Sequence, residues 1–170
     1  MKQARRLVIG VGNPDAGDDG AGRLVARRLA DRNACAPRLD LLIRECSGEA
    51  TALMEAWTGF DDVVLVDACS GAGAPGSVHR LDARAEGPLA ALEQRPRGST
   101  HGLGVSAAIA LSRALGTLPC RLVIYAIEGR HFGAGEPLSP EVDHAVHELV
   151  ALLVQSQESR ATQASPAGEP

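Results

Sequence analysis

The stretch Leu7-Val8-Ile9-Gly10-Val11-Gly12-Asn13-Pro14-Asp15-Ala16-Gly17-Asp18-Asp19-Gly20-Ala21-Gly22-Arg23-Leu24-Val25-Ala26-Arg27-Arg28-Leu29 changes period midway. Leu7 to Val11 is short and mostly β-branched or aliphatic. Gly12-Asn13-Pro14 closes it, so it reads as a buried strand running into a loop. From Ala21 the apolar residues Ala21, Leu24, Val25 and Leu29 fall at helical spacing, with Arg23, Arg27 and Arg28 on other faces. Strand, polar loop, helix is the first half of a βαβ unit.

The pattern recurs outward from there. Leu39 to Ile43 reads as a second strand and Ala52, Leu53 and Ala56 as a short helix. Val63 to Val66 is a third strand that ends at Asp67, before Gly71, Gly73 and Gly76. Ser77 to Leu81 suits a short edge strand, and a polar stretch follows from Asp82 to Thr100. Val105 to Leu115 is an apolar helix, and Leu122 to Ile127 another strand. Ser139-Pro140-Glu141 then starts a helix, with Ser at the N-cap and Pro in the first turn. Val142, Ala145, Val146, Leu149 and Leu153 keep its period. Alternating strands and helices predict a single three-layer α/β domain: a twisted, mostly parallel sheet of about five strands with helices on both faces. The domain is expected over residues 1–157. Residues 158–170, rich in Ser, Ala, Thr, Gln, Gly and Pro, are expected to be a disordered tail.

Composition narrows the function. The chain has 170 residues, 45% of them apolar, a net charge of -4 and 2% aromatics. It lacks a basic stripe and aromatic stacking platforms, which argues against nucleic acid as a partner. No apolar run approaches the ~18 residues of a membrane span. Cys35, Cys46, Cys69 and Cys120 form no C-x-x-C, so they read as reduced thiols of a cytoplasmic protein.

A parallel sheet binds ligands beyond the carboxyl ends of its strands. The polar residues expected there are Asp18 and Asp19, Asp67, Glu128, and His101 just before a helix. Each has a plainer reading. An aspartate before a helix favours the helix's positive end, Asp67 caps backbone amides, and His101 is exposed. Their convergence on one edge favours function. Two carboxylates and an imidazole suit a borderline divalent metal, and equally a general acid–base group acting on water.

Other motifs fall away. Gly10-Val11-Gly12 lacks the third glycine of the dinucleotide fingerprint, since that position is Asp15, and three aspartates would face a pyrophosphate. There is no P-loop and no Gly-x-Ser-x-Gly elbow. His144 and His147 lie opposite the apolar stripe of their helix, so solvent is expected. His79 and His131 have no partner apparent in the sequence.

Four stretches resemble the hydrogenase maturation endopeptidases, which process the C-terminus of the large subunit of nickel-iron hydrogenases. They are Val8 to Gly22, with Gly12-Asn13 and Asp18-Asp19-Gly20-Ala21-Gly22; Val64 to Ala68; Ser99 to Gly102; and Tyr125 to Val142, with Ile127-Glu128-Gly129 and Leu138-Ser139-Pro140-Glu141-Val142. They keep the family's order from Val8 to about Leu153. The resemblance implies Asp19, Asp67 and His101 as catalytic residues and metal contacts. It implies nickel carried by the substrate, no permanent cofactor, and a large-subunit precursor as partner. Many members carry Glu where this chain has Asp19, and an apolar residue within the stretch that is Pro14-Asp15-Ala16-Gly17 here. The first moves the carboxylate back by one methylene, and the second bears on the shape of the first loop and so on the choice between Asp18 and Asp19. With Asp19 as the contact, loss of Asp18 is expected to be the milder change.

The peptidyl-tRNA hydrolases share Gly-x-Gly-Asn-Pro, but this chain has no histidine before His79 to supply their catalytic residue. The function expected is therefore an endopeptidase that trims the precursor after nickel insertion. The alternative is a non-catalytic, nickel-sensing assembly factor that docks the metallated precursor. The sequence leaves the oligomeric state open.

Overall fold

The computed structural model describes residues 6–38, 40–71, 73–85 and 101–164, except for the side chains of 101–103 and 157–164. Five strands form one sheet: β1 (Arg6–Val11), β2 (Leu41–Cys46), β3 (Asp62–Cys69), β4 (Val78–Asp82) and β5 (Arg121–Glu128). Their order is β2-β1-β3-β5-β4. Four strands are parallel, and β4 pairs antiparallel with β5 at one edge. The helices are α1 (Ala21–Cys35), α2 (Ala50–Trp57), α3 (His101–Leu115) and α4 (Pro140–Ala164).

Burial follows strand position. Central β1 is buried throughout and β3 and β5 nearly so, matching their continuous apolar runs. Edge strand β2 alternates between half-buried and exposed over most of its length, and therefore tolerates Arg44 and Glu45. Two cores lie either side of the sheet. On one face Leu7, Ile9, Val63, Leu65, Leu122 and Ile124 meet Leu53 and Trp57 of α2 and Val105 and Ile109 of α3. On the other, Val8, Val64, Val66 and Ile127 meet Val25 and Leu29 of α1 and Val146 and Leu149 of α4.

Helix α1 crosses the sheet at close quarters. A Cβ on Gly22 would collide with the carbonyl oxygens of Val11 and Val66, and one on Gly10 with the Gly22 carbonyl. Backbone stands on both sides, so nothing can yield cheaply. Gly22→Ala is expected to cost roughly 1–3 kcal/mol, read as a melting temperature lowered by several degrees in thermal denaturation. An unchanged melting temperature would show that α1 can lift off the sheet.

The segments differ from the sequence reading mainly at their ends. α3 begins at His101, four residues before the apolar run. α4 stays helical through 158–164, beyond the Glu158 boundary expected for a tail. That stretch lacks an apolar period, but Glu158, Arg160 and Ala161 are good helix formers that prolong a helix already nucleated. Residues 165–170 and the polar stretch 86–100 lie outside the described residues. Among the described residues, no helix is long and apolar enough to cross a membrane.

Candidate active site

The chain leaves β1 for α1 and β2 on one side, while β3 pairs on the other. The carboxyl ends of β1 and β3 therefore flank a topological switch point, where sheets of this kind hold their ligands. β1 continues through Gly12 and Asn13 into a 3-10 turn, Gly17–Gly20, which carries the two adjacent aspartates. Gly12 has φ +136, and a Cβ there would run into the Asp19 carbonyl. Glycine at this position lets the turn fold back over the strand end.

The turn separates Asp18 from Asp19. Asp18 is fully buried. Its carboxylate accepts the N–H groups of Arg130 (2.7 Å), His131 (3.0 Å) and Ser139 (2.7 Å), and the Ser139 hydroxyl at 2.7 and 2.8 Å. Burial pulls its carboxyl up, but the N–H groups of His131, Ser139 and Arg130 and the Ser139 hydroxyl outweigh that and hold it below the ordinary value. With every lone-pair direction engaged, Asp18 is a structural clamp. The expectation that its loss is the milder change is corrected: Asp18 ties the first loop to the loop after β5 and to the start of α4.

Asp19 points the other way. Its Oδ2 accepts the Asn13 N–H at 3.0 Å, and the residue is 4% exposed. It faces Asp67, whose carboxyl is raised first by burial and then by the charge on Asp19. The Ala68 N–H, 2.9 Å from Asp67 Oδ1, opposes this, and the net value is about 7. Two carboxylates in a water-poor crevice repel when both are ionised. A proton on one, or a divalent cation between them, relieves that repulsion.

Strand alternation puts Asp67 on the face of Val63 and Leu65, beneath α2 and α3. His101 opens α3 on the same face. That end of α3 lies at the carboxyl edge, because Gly104 packs so closely on Gly48, just beyond β2, that a Cβ would meet its carbonyl. The backbone thus brings the start of α3 to the edge that bears Asp67, and the His101 side chain is outside the described residues. Among the described residues, no three His, Cys, Asp or Glu side chains converge to hold a metal ion.

Glu128 also reaches this edge, as expected, but it is engaged. Its side chain is 3% exposed, and Oε1 lies 3.0 Å from His79 Nε2. This corrects the reading of His79 as partnerless. The pair depends on β4 lying antiparallel beside β5, with His79 opposite Ala126. Gly71 and Gly73 pack against the Glu128 side chain with no room for a Cβ. His144 and His147 are exposed, as expected.

A three-layer α/β domain with a buried pair of carboxylates at its strand-end crevice is the class that fold and site define. The family model described as "HycI: Hydrogenase maturation protease" matches residues 25–156, and the chain belongs to that family. It is a peptidase. The match includes Asp67 and His101 and begins after Asp19.

Solved structures agree. The hydrogenase maturating endopeptidase HybD from E. coli superposes with a TM-score of 0.76 at 20% identity, over 92% of this chain and 93% of that one. The [NiFe] hydrogenase maturation protease HybD from Thermococcus kodakarensis gives 0.66 at 26% identity, over 89% and 97%. HycI from Thermococcus kodakarensis KOD1 gives 0.65 at 25%, over 91% and 93%. No curated protein matches the chain.

Proposed function

We propose that this protein cuts one peptide bond near the C-terminus of a nickel-iron hydrogenase large-subunit precursor, after nickel is in place, in the cytoplasm. The observation that carries the proposal is the buried Asp19–Asp67 pair, in which burial first and the charge on Asp19 second raise the Asp67 carboxyl to about 7. A nickel ion presented by the substrate would replace the proton between the carboxylates. Such a pair is an oxygen-rich subsite suited to touching a metal held elsewhere. His101, at the start of α3, would complete the contacts to the nickel. The four cysteines, which form no C-x-x-C, suit a reducing compartment.

The reaction needs a base and an acid. An ionised carboxylate takes a proton from water as oxygen attacks the scissile carbonyl. The departing amine then takes a proton, and a carboxylic acid and an amine are released. Asp67, near neutrality, can hold and return that proton. The assignment of Asp19, Asp67 and His101 as the reacting set rests on this placement.

The test crosses chelated or untreated enzyme with nickel-free or nickel-loaded precursor, with the large subunit followed by mass spectrometry. Only nickel-loaded precursor is expected to shorten, with either enzyme preparation and over many turnovers. Efficient cutting of nickel-free precursor, or activity that tracks metal bound to the enzyme, would make this an ordinary metalloprotease. Binding in fixed proportion without cleavage would make it an assembly factor.

A further inference from the structure

Three helices turn charge to solvent: Arg27, Asp31 and Arg32 on α1, Glu55 on α2, and Glu141, Asp143 and Glu148 on α4. Among its described side chains, α3 does so only at Arg113, near its end. Its other exposed residues Ala107, Ala110, Leu111, Ala114 and Leu115 recur at helical spacing and form one uncharged stripe. Leu111 is 45% exposed and Leu115 61%. An apolar helix face is normally covered, yet among the described residues α3 packs only on α2 and the sheet.

The stripe has a direction. It starts at Ala107, within α3, and runs away from the carboxyl edge, where α3 begins at His101, about 12 Å by helical rise toward the opposite edge. There the N–H of Ala83 meets the Leu122 carbonyl, near the start of β5. A groove of about 210 Å³ lies at that end, lined by Arg84, Arg113, Gly116 and Leu118. The Arg84 guanidinium donates to the carbonyls of Pro119 and Leu118. That of Arg113 donates to the carbonyls of Ala83 and Ala85. Among the described residues, neither arginine forms an ion pair with a carboxylate. Both side chains are held by backbone carbonyls, which leave their positive charge in place.

We propose that the outer face of α3, with the Arg84–Arg113 groove at its end, is the docking surface for the folded body of the large-subunit precursor, which meets it with an apolar patch bordered by carboxylates. The inference rests on the function proposed above. A substrate delivering its C-terminus to the crevice must lie against the elements around that crevice, and α3 extends directly from it. The charge argues for a different protein rather than a second copy. A two-fold contact pairs a surface with itself, and among the described residues the groove is lined by two arginines and no carboxylate, with Asp82 beside it accepting the Arg84 N–H.

The experiment compares wild type with Leu111→Glu/Leu115→Glu and with Arg84→Ala, and uses Leu152→Glu on exposed α4 as a control. Nickel-loaded precursor is the probe. Cleavage kinetics, direct precursor binding, melting temperature and sedimentation are read together. The double variant is expected to melt within a few degrees of wild type. Its KM should rise at least tenfold, with kcat within twofold. Arg84→Ala should raise KM severalfold and flatten its salt dependence, and Leu152→Glu should change nothing. Wild-type cleavage with an unchanged KM in the double variant overturns the docking surface and leaves the peptidase standing. Wild-type binding without cleavage, weakened in the double variant, does the reverse. A large fall in melting temperature with KM unchanged assigns the face to residues 86–100 of this chain. A wild-type dimer that the double variant splits assigns it to a second copy. Either of these last results overturns the proposal.

Discussion

Asp67→Asn is expected to end processing and, at pH 8, to make the protein more stable. The amide keeps the shape of the carboxyl group and removes a charge the crevice resists. In the folded chain Asp67 sits at about 7; unfolded, it returns to about 3.9. The folded state therefore binds its proton more tightly. Stability linked to this group is complete below about pH 4 and is lost as pH rises toward 7. Above that, the loss is on the order of 4 kcal/mol. The asparagine variant escapes it. At roughly 2–4 °C per kcal/mol, its melting temperature should exceed wild type's by roughly 10 °C at pH 8 and match it at pH 4. Circular dichroism melts at the two pH values check this, beside the precursor assay. Equal melting at pH 8 would mean that Asp67 is not strained by burial and by Asp19. Full processing by the variant would remove Asp67 from the reaction.

Asp18→Ala should fail for the opposite reason. Its carboxylate accepts three backbone N–H groups and a hydroxyl in a buried setting. Removing it strands those donors, at a cost on the order of 4 kcal/mol. The melting temperature should fall by roughly 10 °C, and processing should fall with it, because the turn that presents Asp19 loses its anchor. Asp18→Asn, which keeps one acceptor, should lie between. The pH dependence is also inverted. Asp18 is held below its ordinary value, so its contribution is present above about pH 4 and is lost on acidification. Melting within 2 °C of wild type would show that the anchor is dispensable.

The two aspartates show how far the sequence could be read. The sheet, its mostly parallel direction and its edge strand follow from period and punctuation, since Leu7–Val11, Val63–Val66 and Leu122–Ile127 read as buried strands. Asp67 stood out because a carboxylate ends such a run. The boundaries of β2 were less legible. Leu39 to Ile43 looks like a strand that ends at Arg44, whereas an edge strand accepts Arg44 and Glu45 with their side chains at the surface. The start of α3 was hidden by Gly102 and Gly104, which are poor helix formers. Gly104 is there for the close approach to Gly48. The division of labour between Asp18 and Asp19 was not legible at all. The partners of Asp18 lie 112 to 121 residues away, and no local pattern announces them. The same holds for His79 and Glu128, which meet only through the register of β4 on β5.

The Asp18 clamp also sets when the protein becomes competent during synthesis. A nascent chain that has emerged through Tyr125 already possesses Asp19, Asp67 and His101. It lacks Arg130, His131 and Ser139, which hold the first loop in place. Contacts between distant parts of a chain form late, after the loop between them has been closed. The crevice therefore takes its shape only after Ser139 has been made and has met the first loop. A chain cut off before the loop after β5 carries all three candidate residues and no frame to hold them.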